Sequence, residues 1–209
     1  MSDFQVKQML LGALRTNCYL MIRQDTKETL IVDPADGAEV VISKMNREGL
    51  KPVAILLTHG HVDHIGAAEG LKNHYGISIY AGEKETELLG NPGANLSRMF
   101  GQPISLKSDI QVKDGETLSL AGFEIQVFHT PGHTPGGCCY YFPAEKVLFS
   151  GDTLFCESVG RSDFPGGSQR TLVESVRRLL SELPEETRVY PGHECETDIA
   201  HEKRWNPYV

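Results

Sequence analysis

A layered α/β fold is what this chain predicts, because short apolar runs ending in polar turns alternate with stretches of helical periodicity. Val53-Ala54-Ile55-Leu56-Leu57 runs into Thr58-His59-Gly60-His61, and Phe123 to Phe128 into His129-Thr130-Pro131-Gly132-His133. Val147-Leu148-Phe149-Ser150 runs into Gly151-Asp152, and Arg188-Val189-Tyr190 into Pro191-Gly192-His193. At 209 residues, with no linker, the chain reads as one domain over 1–209 with room for a substantial core.

Taken in order, Val53 to Leu57 suits a buried strand, so His59 and His61 fall in the turn past its end. Asp63 is placed to open a helix, since Ala67, Ala68, Leu71 and Tyr75 recur at helical spacing. Leu89 to Asn95, rich in Gly, Pro and Asn, together with Arg98-Met99-Phe100 reads as a long excursion of the kind that covers a cleft. Phe123 to Phe128 alternates as a strand does. From Gln169 to Leu183, Leu172, Val173, Val176, Leu179, Leu180 and Leu183 make one apolar stripe, with Arg177, Arg178 and Glu182 facing elsewhere; such a stripe is core. The two halves echo each other weakly, with Pro-Gly-His after a strand in each.

Strand ends in a layered fold gather along one edge, so the polar groups on these four can meet in one cleft. Seven of them are ligand types: His59, His61, Asp63, His64, His133, Asp152 and His193. Imidazole and carboxylate are donors shared by zinc, iron and manganese. Seven is too many for one tetrahedral ion and suits two divalent ions sharing a carboxylate.

The series H-x-H-x-D-H, P-G-H-T, G-D and P-G-H, spread through the chain in this order, resembles the metallo-β-lactamase superfamily. That resemblance implies a four-layer αββα sandwich with two metals on one edge, most commonly zinc, with iron or manganese as alternatives. It assigns His59, His61 and His133 to the first ion, Asp63, His64 and His193 to the second, and Asp152 to the bridge. Gly160-Arg161-Ser162-Asp163-Phe164-Pro165-Gly166-Gly167 and the ending Asn206-Pro207-Tyr208 further resemble short glyoxalase II-type hydrolases. The activity so implied is cleavage of a hydroxyacyl thioester such as S-D-lactoylglutathione by a hydroxide between the metals, with Asp63 steering water or carrying a proton. No counterpart is expected for the helical domain that supplies glutathione contacts in full-length glyoxalase II, and Pro191-Gly192-His193-Glu194-Cys195 departs from the commoner P-G-H-G-P.

Two other functions share these residues. Persulfide dioxygenases of the same fold use one iron on the positions of His59, His133 and Asp152, and a non-catalytic metal-binding protein would close the coordination sphere. Arg161 is the candidate for a substrate carboxylate, or else a salt-bridge partner of Asp163 or Glu157. His129 reads either as an orienting partner of a ligand or as a core residue, whereas His74 and His201 read as surface or capping residues.

A net charge of −8 and a pI near 5.5 disfavour nucleic acid, leaving a small-molecule thioester, glutathione-derived by the resemblance, as the expected partner. The segment Met1 to Lys7 has no basic stretch before an apolar run, and nothing approaches a membrane span, so neither export nor membrane association is expected. Cys18, Cys138, Cys139, Cys156 and Cys195 are odd in number and include an adjacent pair in an apparent strand, reading as reduced thiols of a cytoplasmic protein. Cys195, two positions after His193, stands out as a possible soft ligand or oxidation target.

Overall fold

Alternation along single strands feeds three separate cores, and those cores define the layers of a computed structural model that describes residues 3–209. The first sheet runs in the order β1 (Phe4–Leu11), β2 (Thr16–Arg23), β3 (Glu28–Val32), β4 (Lys51–Leu56), β5 (Ser78–Gly82), β6 (Ile110–Val112). Its first two pairings are antiparallel and the rest parallel. The second sheet is built from β7 (Thr117–Leu120), β8 (Phe123–His129), β9 (Cys138–Phe142), β10 (Val147–Gly151), β13 (Arg188–Pro191) and β14 (Thr197–Asp198). Their spatial order is β14-β13-β10-β9-β8-β7, and a small hairpin of β11 (Leu154–Phe155) and β12 (Ser158–Val159) follows β10.

On β2, Tyr19 and Met21 face the second sheet while Cys18, Leu20 and Ile22 face the helices, as the two-residue period of a strand requires. Those helices are α1 (Ala38–Glu48) and α3 (Ala68–Tyr75), which contribute Val41, Met45 and Leu71 to the outer core. On the far side, β9 sends Tyr140 and Phe142 inward between the sheets and Cys139 and Tyr141 outward onto α5 (Gln169–Glu182). The layers are therefore helix, sheet, sheet, helix, the four-layer αββα sandwich.

Two elements refine the sequence reading. The helix after the His-rich turn breaks into α2 (Val62–Ile65) and α3, with His61 rather than Asp63 at its N-cap. Gly66 lies against the Ala35 carbonyl, and the Ala67 N–H donates to the Pro34 carbonyl at 2.9 Å, which locks the break in place. The stripe at 169–183 forms α5, capped by Ser168, whose hydroxyl accepts from the Thr171 N–H. Leu172, Val176, Leu179, Leu180 and Leu183 are buried as expected, whereas Val173 is only half-buried. Ser175 takes a core position instead and donates to the Pro131 carbonyl at 2.8 Å.

The excursion after α4 (Thr86–Gly90) is held by Asn95, whose amide donates to the carbonyls of Leu89 and Ile104. It reaches over the rim of the molecule and places Phe100, Gln102 and Ile104 beside Asp63.

Candidate metal centre

All seven ligand-type residues converge at one edge, where the two sheets end. His59 and His61 follow β4, Asp63 and His64 lie on α2, and His133, Asp152 and His193 follow β8, β10 and β13. The loops are stitched across the sheets: the Cys138 N–H donates to the Thr58 carbonyl at 2.8 Å, and the Asn17 N–H to the Gly192 carbonyl at 2.7 Å. The Tyr19 hydroxyl and the Asn17 amide both donate to the Pro191 carbonyl, at 2.8 and 2.9 Å.

Ligand atoms of His59, His61 and His133 lie within 4.8 Å of one another, as do those of Asp63, His64 and His193. Asp152 spans the two groups, with Oδ2 3.6 Å from both His133 Nε2 and His193 Nε2, and Oδ1 3.4 Å from His64 Nε2. Gly192 permits this approach, since a Cβ there would overlap the Asp152 carboxylate. Gly151, at φ +50°, similarly leaves room for the Thr58 hydroxyl.

The donor set fits two cations. His64 Nε2 and Asp152 Oδ1 are buried polar atoms without a hydrogen-bond partner, an arrangement that costs free energy unless an ion completes it. Burial, then the neighbouring imidazoles, hold His59 well below its ordinary value and His61 down to about 3, so both offer neutral lone pairs. The other half is rich in negative charge. Burial works against a proton on His64, but Asp63, Asp152 and Asp33 outweigh it and push its value up to about 10. His193 is also raised against its burial, by the hydrogen bond to Asp63 and the charge of Asp152. Burial opposes ionisation of Asp63, yet His64, His193 and Thr16 hold it below the usual carboxylate range. Carboxylates that stabilise a proton on these imidazoles provide the same field for a divalent cation.

Orienting partners missed at the sequence level sit directly behind the ligands. Asp33 follows β3 at φ +48°, a costly conformation for a residue with a side chain. Its Oδ2 accepts from His64 Nδ1 at 2.9 Å and from the Thr58 hydroxyl at 2.6 Å, while Oδ1 accepts from the Thr58 N–H at 2.8 Å. His64 is thereby held with Nε2 facing Asp63 and Asp152. His133 Nδ1 meets the Arg161 carbonyl at 2.6 Å, leaving its Nε2 toward Asp152. Glu85, fully buried, accepts from the Gly60 N–H at 2.8 Å, the Gly136 N–H at 2.8 Å and the Thr134 hydroxyl at 3.1 Å, joining the turns that carry His59 and His133. A carboxylate directly after the apolar run Leu30-Ile31-Val32 was a usable signal for Asp33. Nothing local marked Glu85.

Other singled-out residues take plainer places. His129 Nε2 meets the Pro135 carbonyl at 3.1 Å within its own turn, His74 is exposed against Tyr75, and His201 meets Glu157 at 3.0 Å. Arg161 is exposed; its guanidinium donates to both Asp163 oxygens at 2.7 Å and lies 4.0 Å from the centre of the Phe164 ring. That ring stands edge-on to His61. All five cysteines are free. Beside Asp63 a cavity of about 250 Å³ is lined largely by apolar groups, among them Leu11, Ala35, Val62, Phe100 and Ile104.

Comparison with known proteins agrees with this geometry. Residues 11–193 match the model of the metallo-beta-lactamase superfamily. The hydroxyacylglutathione hydrolase GloC of Haemophilus influenzae is 38% identical over 200 residues, 94% of each chain. The crystal structure of BLEG-1 B3 metallo-beta-lactamase superposes with a TM-score of 0.92 at 42% identity, covering 98% of this chain and 99% of that one. That of TTHA1623 in a di-iron-bound form gives 0.85 at 38%, covering 97% and 100%. The chain belongs to the metallo-beta-lactamase superfamily, as a metallo-hydrolase. Among the described residues no helix is long and apolar enough to cross a membrane.

Proposed function

We propose that the chain is a thioesterase of the glyoxalase II type, cleaving a hydroxyacyl thioester into a hydroxy acid and a thiol. The observation that carries this reading is the second ligand group, Asp63, His64 and His193, set beside the first with Asp152 between them. His59, His61 and His133 would hold one divalent ion, the second group the other, and Asp152 both. When bound, such a pair supplies an acidified water and a polarised carbonyl, the two requirements of thioester hydrolysis.

The chain's own residues provide the rest. Asp33 and the Arg161 carbonyl fix the rings of His64 and His133, so that no reorientation is needed as ligands bind. Asp63, anchored by the Thr16 hydroxyl at 3.0 Å, lines the apolar cavity, where it can orient water. The cavity walls exclude solvent from an acyl chain, and a thiolate leaves without a dedicated acid. The Arg161–Asp163 ion pair is exposed and screened by solvent, so a substrate carboxylate can replace Asp163 at little cost. The GloC likeness supports glutathione as the thiol, and the di-iron-bound relative supports iron beside zinc as a native metal.

A second reading is β-lactam hydrolysis, favoured by the 42% identity to BLEG-1 B3 metallo-beta-lactamase. Metal analysis of protein purified without added metal, joined to assays on S-D-lactoylglutathione, a β-lactam and a persulfide with oxygen monitoring, decides among them. About two metals per chain with rapid thioester turnover is the expected result. One iron with oxygen uptake, or β-lactam turnover alone, overturns the proposal.

A further inference from the structure

The cavity beside Asp63 has two lips that the chain leaves uncovered. Leu14, in the turn between β1 and β2, and Phe100, in the excursion after α4, are 49% and 52% exposed although both line it. Leu11, Ala35, Val62 and Ile104 continue the apolar wall inward. Large apolar groups left half-open around a concave space mark a place where a ligand is buried.

Both walls are held from behind. The Ile104 N–H donates to the Ser97 hydroxyl at 2.8 Å, and the Val62 N–H to the Asn95 carbonyl at 2.9 Å, which ties the excursion to the helix that carries Asp63. On the other side Gly12 has φ +68°, and a Cβ there would stand 3.2 Å from that of Asp36, so the turn bearing Leu14 packs closely on the loop after β3. A preformed space of this kind demands little ordering when a ligand enters. Its size and charge select the ligand. The volume of about 250 Å³ gives room for about eight heavy atoms, at the ~30 Å³ that a water molecule occupies in the liquid. A lactoyl group, with a methyl and a hydroxyl on its α-carbon, would leave most of that space to water. Among the described residues that line it, the only charged ones are Asp36 and Asp63, an unfavourable setting for the carboxylates of glutathione, whereas Gln102 offers an amide to a hydroxyl. Asp63 belongs to one ligand group, while Phe164 stands edge-on to His61 of the other with Arg161 against its ring. The two ends of a thioester therefore have separate places.

We infer, on the thioesterase reading, that this cavity is the acyl subsite, with Leu14 and Phe100 as its specificity-determining residues, and that the preferred substrates are thioesters of neutral α-hydroxy acids bearing a phenyl or hexyl side chain. The acyl group lies on the Asp63 side, and the thiol carrier extends past Phe164 toward Arg161. Each methylene buried between the lips raises kcat/KM about fourfold, until about eight heavy atoms are housed.

The test compares the glutathione thioesters of lactate, α-hydroxyhexanoate, α-hydroxyoctanoate and mandelate on the metal-loaded full chain. The expected result is a kcat/KM that climbs through the alkyl series, with mandeloyl near the top. Phe100→Ala and Leu14→Ala truncate half-exposed side chains outside the core, and each should lower the ratio of hydroxyoctanoyl to lactoyl kcat/KM about tenfold. Calorimetry adds a readout apart from turnover: α-hydroxyoctanoate should bind more tightly than lactate, with a more negative heat-capacity change. Lactoyl as the best substrate, or a flat series, overturns the acyl assignment and leaves the thioesterase reading standing. Variants that slow every member equally overturn the role of the two lips. No hydrolysis of any member by protein holding two metals overturns the thioesterase reading and the acyl subsite together.

Discussion

Asp33 shows how one carboxylate defines a ligand: by accepting from His64 Nδ1 at 2.9 Å it turns His64 Nε2 toward Asp63 and Asp152. The Asp33→Ala variant should bind metal about 10–100-fold more weakly, the usual cost of losing an orienting partner, as read by competition with a chelator. Unchanged affinity would show that packing alone orients the ring. Arg161 yields a different kind of expectation, because its fork already holds Asp163. If a substrate carboxylate takes the place of Asp163, Arg161→Ala will raise KM for a charged thioester well above its effect on a neutral one, and kcat will change little. Equal effects on both substrates would assign Arg161 to its surface pair alone. At this scale the convergence of the seven ligand-type residues was legible because polarity at a strand end has few structural excuses. Glu85 was not, since its three donors come from turns distant in sequence.

Elements carry the ligands only as firmly as they are tied to one another. The strand ends were readable from apolar runs, but the break between α2 and α3 depends on Gly66 meeting the backbone of Ala35, a contact no periodicity encodes. A tie on the same helical face of the first sheet is open to a pH test. Glu48 at the end of α1 accepts from Lys44 at 2.6 Å, one turn back, and from Lys7 on β1 at 2.7 Å. Hydrogen bonds from Lys44 and then Lys7 bring its carboxyl down to about 2 from an ordinary 4.5. Because the folded value is the lower one, the stabilisation is complete above about 4.5 and is lost as pH falls through about 2. Glu48→Gln should therefore destabilise by about 0.5–1 kcal/mol at neutral pH, the range of partly exposed pairs. Its melting temperature should converge on that of wild type as the pH is lowered through that window. A difference that persists in strong acid would place the effect in packing rather than charge.

For the whole molecule, the centre exists only where two sheets meet. The first sheet and its helices supply His59, His61, Asp63 and His64, and the second supplies His133, Asp152 and His193. Each half of the sequence offered its own ligand-type residues, yet the strand order β14-β13-β10-β9-β8-β7 that brings His193 next to Asp152 arises from pairings distant along the chain. The family resemblance implied the sandwich with its metals on one edge, and no local pattern implied this order. His193 is consequently the position at which the whole assembly can be questioned. Its ring stands 3.2 Å from Asp63 and 3.6 Å from Asp152 but belongs to only one of the two ligand groups. In a dinuclear hydrolase, His193→Ala should lose one metal per chain and about 10²-fold or more in thioester turnover, while the group of His59, His61 and His133 keeps the other. In a mononuclear iron dioxygenase the same change would leave iron content intact and oxygen uptake with a persulfide nearly so. Metal content and both turnovers, measured on one preparation, separate the cases. A variant that retains one iron and consumes oxygen would overturn the thioesterase reading while leaving the fold unchanged.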